Sequence, residues 1–167
     1  MTKELAHIVS QLARADGYAR RYGLFYFSND DLTGGIHLQS SQWCDGVYTN
    51  IGILPTKVIP LPTKPPAIEY WPLSGRADRL NGPFKDLFSK LAESAALISA
   101  HDAQQMFPWL LQWMRDAIQD TEGLRKAILH RRNHSYISQI CDLPTEWMMA
   151  DWANDKLRSW EYYYPIQ

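Results

Sequence analysis

Leu5, Ile8, Val9 and Leu12 fall at i, i+3, i+4 and i+7, which is one face of a helix. Thr2 can cap its start and Gly17 can end it, so the spacing predicts a helix of about four turns between them. The period then changes. Leu24 to Ser28 is short, aromatic and bounded by Gly23 and Asn29, as strands are. Asp31 to Gly35 reads as a turn, with Gly34-Gly35 a two-residue turn inside it. In Ile36 to Ser41 the apolar Ile36 and Leu38 alternate with His37 and Gln39. After a turn at Asp45-Gly46, Val47 to Leu54 places Val47, Thr49, Ile51 and Ile53 on one face.

Pro55, Pro60, Pro62, Pro65 and Pro66 then crowd one stretch, and proline cannot donate to a ladder. With Val58, Ile59 and Leu61 among them, this stretch reads as a strap packed on the domain rather than a linker. Ile68 to Leu73 is expected to form one more strand, interrupted by Pro72. From Pro83 the helical period takes over, first through Phe84, Leu87, Phe88 and Leu91. A second helix, from about Asp102 to Ile118, carries Phe107, Leu110, Leu111 and Met114, and Pro108 should kink it or mark its start. Thr121 opens a third with Leu124, Ile128 and Leu129, and Pro144 opens a last one through Trp147, Trp152 and Trp160. Strands first and helices after predict a single α+β domain over residues 1 to 167. Its sheet would be antiparallel, with three to five strands in the N-terminal half, packed against the N-terminal helix and several C-terminal helices.

Composition changes this picture in few places. A chain of 167 residues buries roughly 70% of its unfolded surface, enough for a core without staples. A net charge of -1 gives no field to hold nucleic acid or an anionic membrane, so neither is an expected partner. Cys44 and Cys141 are too few and too far apart for a disulfide framework or a zinc site. The N-terminus lacks the apolar core of a signal peptide and no stretch reaches membrane-spanning length, so a cytoplasmic location is expected. Seven Trp and nine Tyr are the unusual feature. Such residues are over-represented in interface cores, but an aromatic-rich core of the domain itself is the more frequent reason for them.

Candidate chemistry is sparse. His130 and His134 stand at i, i+4, the spacing of a zinc-binding helix pair. Arg131 sits where that motif has Glu, and Arg131 and Arg132 would repel a divalent ion, so no metal or other cofactor is expected. There is no Gly-x-Ser-x-Gly elbow and no phosphate-binding Gly loop, so no catalytic residues are assigned. Asp30-Asp31 lies in a predicted turn, where Asp bonds its own backbone. Arg125, Lys126, Arg131 and Arg132 could contact phosphates or simply solvate a helix end. Acids then outnumber bases from Asp142 onward. Asp142, Glu146, Trp147, Asp151, Trp152, Asp155, Trp160, Tyr162 and Tyr163 make a candidate surface for gripping a basic protein partner. An amphipathic terminal helix would have the same composition. On the strands, His37, Gln39, Ser41, Tyr48 and Asn50 form a polar face, either open to a partner or braced internally. Gln39 and Asn50 fit the braced reading better.

Gly17-Tyr18, Tyr22-Gly23, Tyr26, Leu38-Gln39-Ser40-Ser41 and Asn50-Ile51-Gly52-Ile53 together resemble the bacterial family known as domain of unknown function 4304. Gly75-Arg76-Ala77-Asp78-Arg79-Leu80 matches that family's Arg-containing segment loosely, and the similarity covers about residues 1 to 130. The resemblance implies a small bacterial domain of the kind found beside secreted toxins, where such proteins act as immunity proteins. The leading expectation is therefore a non-enzymatic protein that binds and neutralises a cognate toxin domain. The alternatives are a phosphodiester-acting enzyme built on His130, His134, Arg131 and Arg132, or a non-catalytic adaptor subunit.

Overall fold

The computed structural model describes residues 3–30, 32–54, 68, 71, 73–80 and 82–119. The elements run α1 (Lys3–Ala15), β1 (Ala19–Arg21), β2 (Leu24–Ser28), β3 (Thr33–Ser40), β4 (Val47–Leu54), β5 (Leu73–Arg76), α2 (Lys85–Glu93) and α3 (Ala100–Gln119). The five strands form one antiparallel sheet in the order β1-β2-β3-β4-β5, each paired with its neighbour in sequence. The architecture is α+β, with a strand-rich N-terminal half and the helices of the C-terminal half packed on one face of the sheet.

Because side chains alternate across a strand, each row of paired residues belongs to one face. Phe25, Ile36 and Ile51 form a row facing the helices, and all three are buried. The helices complete that core with Leu5, Val9, Phe88, Leu91, Met106, Phe107, Leu110 and Met114. Phe88 meets Phe107 edge-on at 5.7 Å, and Phe84 meets Trp109 at 5.9 Å, so α2 and α3 lock through aromatic rings. Long-range bonds fasten α3 to the first half of the chain. The buried Tyr18 hydroxyl donates to the Leu111 carbonyl at 2.8 Å, and Asn29 donates to the Ile118 carbonyl at 2.7 Å. Arg115 bonds Asp16 at 2.9 Å while lying over the Phe27 ring at 4.1 Å.

The start of α3 lies upstream of where its apolar spacing put it. Ser99 and Asp102 form a reciprocal cap, in which Asp102 N–H donates to Ser99 Oγ and Ser99 N–H donates to Asp102 Oδ2. The helix therefore begins at Ala100 and continues through Pro108, which is neither its start nor its end. The Ser99 hydroxyl and amide hold the Asp102 carboxyl below the usual carboxylate range.

Three strand boundaries also differ from expectation. Gly34-Gly35 is no turn but lies inside β3, paired with Phe27 and Tyr26 on one side and Ile53 and Gly52 on the other. The reason is packing on both sides. A Cβ on Gly34 would stand 2.6 Å from Met114 of α3, and one on Gly35 would stand 2.8 Å from the Trp71 indole on the opposite face. The last strand among the described residues is Leu73–Arg76, beyond Pro72, and not Ile68 to Leu73. Ile68 and Trp71 instead fold against the sheet with Leu24, Leu54 and Tyr26 as a second, smaller core. The short β1 is an exposed edge whose hairpin turn, Tyr22-Gly23, has φ of 50° and 80°. Two positive φ values in a two-residue loop match the twist of paired strands, at a cost that Tyr, unlike Gly, must carry.

Candidate functional site

The face of the sheet turned away from the helices is divided between two regions. Trp71 and Ile68 cover one end. The other end is polar, and the strand register assembles it. Arg21, Leu24, His37, Asn50 and Arg76 form one row across all five strands, and Gln39 and Tyr48 pair in the next row.

The polar side chains in these rows hold one another in place. Asn50 is buried and donates its amide to Gln39 Oε1 at 2.7 Å, which leaves the exposed Gln39 a free amide edge toward solvent. The Arg76 guanidinium lies 4.3 Å over the Tyr48 ring. It also donates through Nε and Nη2 to the two oxygens of Asp78 at 2.9 and 2.6 Å. A forked ion pair stacked on an aromatic ring is rigid, so Arg76 is a fixed, neutralised donor plane rather than a mobile cation. His37 is half-buried, with its ring 3.6 Å from where a Cβ on Gly23 would lie.

Of the five strand residues expected on this face, the fold brings His37, Gln39, Tyr48 and Asn50 together. Gln39 and Asn50 bond each other, but Gln39 is exposed, so the pair is not the buried network expected there. Ser41 falls outside the strand and shapes the β3–β4 loop instead, accepting from the Trp43 amide at 3.1 Å and donating its own amide to the Gly46 carbonyl. Asp142, Glu146, Trp147, Asp151, Trp152, Asp155, Trp160, Tyr162 and Tyr163 lie outside the described residues, as do His130, Arg131, Arg132 and His134.

That β3–β4 loop supplies what the sequence reading missed. Trp43 at its tip is 91% exposed, and Tyr22 on the neighbouring hairpin turn is 69% exposed. The loop is braced against the C-terminal end of α2. Asp45 accepts from the Ala95 amide at 3.2 Å through its carbonyl, and from the Ser94 hydroxyl at 2.8 Å through its carboxylate. Gly46 passes so close to Ala92 that a Cβ would overlap the Ala92 carbonyl oxygen. Trp43 is thus presented to solvent by a backbone with little freedom. The sequence signal that could have found it is an aromatic two residues before the Asp45-Gly46 turn. Arg76 could not be found that way, because its pairing with Asn50 spans 26 residues of chain.

Among the described residues no group of three or more His, Cys, Asp or Glu side chains is placed to hold a metal ion. No helix among them is long and apolar enough to cross a membrane. Comparison with protein-family models, with curated proteins and with solved structures finds no match to this chain.

Proposed function

We propose that the chain is a non-catalytic protein-binding module, and most specifically a bacterial immunity protein that binds and neutralises a cognate toxin domain in the cytoplasm. The observation that carries this reading is Trp43, an indole 91% exposed on a loop braced at both Asp45 and Gly46. An aromatic carried on a restrained backbone costs less loop ordering when it enters a partner's pocket, and Trp is enriched among interface hot spots. The loop leads straight out of the Gln39–Tyr48 row, so the braced polar groups lie beside the anchor, as at the rim of an interface. The likeness of the strand motifs to a family of immunity-protein-like domains supports the same reading.

The test is co-expression of the tagged chain with the product of the neighbouring reading frame. A stable complex that restores growth is expected, and Trp43→Ala should weaken it by at least about 2 kcal/mol without shifting the melting temperature. Failure to form a complex or to protect growth would remove the immunity reading.

A further inference from the structure

A second feature lies on the helix side of the sheet, away from Trp43 and the polar row. The last turns of α1 and the β1–β2 hairpin enclose a cleft of about 250 Å³ lined by Ser10, Arg14, Tyr18, Arg20 and Phe25. Its floor is aromatic, because Tyr18 and Phe25 are both buried. Its rim is cationic, because Arg14 and Arg20 are both exposed. The half-buried Ser10 adds a hydroxyl.

Two guanidinium groups at one small cleft call for a countercharge, and none is paired with either of them among the described residues. The nearby carboxylate, Asp16, is committed to Arg115 at 2.9 Å. Arg20 lies 5.4 Å over the Phe25 ring, and among the described residues its N–H donors have no hydrogen-bond partner. The helix dipole accounts for a cation in the last turn of α1, where Arg14 stands, but not for a second one converging from a different element. Arginine forks match the geometry of phosphate oxygens, and the aromatic floor beneath them suits the carbon portion of a phosphoester.

We propose that this cleft binds the phosphate group of a small phosphomonoester, with Arg14 and Arg20 as the clamp and Ser10 as a third donor. The volume is at the small end of ligand pockets, which suits a single phosphate with a short carbon portion. This site stands independently of the protein-binding reading above.

Titration calorimetry of the full chain with inorganic phosphate, phenyl phosphate and a single-stranded oligonucleotide tests it. Saturable one-to-one binding of phenyl phosphate, with a Kd of about 1 mM or tighter, is expected. Arg14→Gln and Arg20→Gln should each weaken it about tenfold, and Arg20→Lys by less. Arg76→Gln, on the other face, should leave the affinity unchanged. Both clamp residues are exposed, so thermal melts should confirm that the variants fold. No saturation by about 10 mM, or equal affinity in the Arg14→Gln/Arg20→Gln double variant, would overturn the proposal. Tight oligonucleotide binding without phosphate or phenyl phosphate binding would overturn it too, in favour of a nucleic-acid backbone groove.

Discussion

The two faces of this sheet are closed by different means. The helix face is covered by regular elements whose side chains adjust to one another, with Met106 and Met114 among them. Among the described residues, the opposite face is covered at one end by Ile68 and the Trp71 indole, which lies over Gly35 beside Leu24 and Leu54. Adjacent glycines, Gly34 and Gly35, serve the two faces in turn: one receives a flexible thioether, the other an indole. How a residue is buried therefore matters as much as whether it is. A methionine can swing aside, whereas an indole must leave.

The largest predicted effect follows from that contrast. Gly35→Val should destabilise the protein by about 3–5 kcal/mol, the cost of expelling a large buried aromatic, and Trp71→Ala should cost about the same. Gly34→Val should cost about 1–3 kcal/mol, because Met114 can repack. Urea denaturation measures all three, and a Gly34 variant less stable than the Gly35 variant would reverse this ordering of the two faces. A smaller effect tests the fastening of the helix layer. Burial pushes the Tyr18 phenol well above its ordinary pKa, against the opposing pull of Arg115. The folded state thus favours the neutral phenol while the unfolded chain ionises from about pH 10, so stability should fall as pH rises beyond that point. Tyr18→Phe should abolish that alkaline slope and cost about 1 kcal/mol at neutral pH through the lost bond to the Leu111 carbonyl.

Thr49 offers a gain. Its hydroxyl is buried on the helix face opposite Leu38 and has no hydrogen-bond partner among the described residues. Thr49→Val should stabilise by about 1 kcal/mol in the same denaturation assay, and a loss instead would reveal a partner for the hydroxyl. The smallest effect belongs to the polar end. Arg76→Gln should change stability by at most about 1 kcal/mol, because the ion pair with Asp78 is partly exposed. A larger loss would mean that the polar row braces the sheet as firmly as Trp71 does.

The elements that could be read in the sequence are those with local signals. The 5, 8, 9, 12 spacing of α1 and the 84, 87, 88, 91 spacing around α2 each follow from one buried stripe. Val47, Ile51 and Ile53 of β4 do share the helix-side core, although the other face of that strand is largely buried too, with Asn50 and Leu54 on it. β1 left no such trace, since Ala19, Arg20 and Arg21 are all exposed on the sheet edge. Gly34-Gly35 imitated a turn because the residues that require glycine there, Met114 and Trp71, are far away in sequence. The Ser99 to Asp102 cap was legible as a Ser-x-x-Asp pattern, and the stronger apolar spacing after it drew the boundary downstream. At the candidate site, alternation placed His37, Gln39, Tyr48 and Asn50 on one face. It could not place Arg76, which arrives through a strand pairing after the proline-rich stretch.

The bonds from Tyr18 and Asp16 to α3 have a consequence for the order in which the chain is made. The strands pair only with sequence neighbours, so each hairpin can close soon after it leaves the ribosome. The apolar stripe of α1, Leu5, Val9 and Ala13, must wait for Leu111 and Arg115 to be synthesised before its cover exists. At about 5–20 residues per second that delay is on the order of 5–20 s, long enough for a chaperone to find the stripe first.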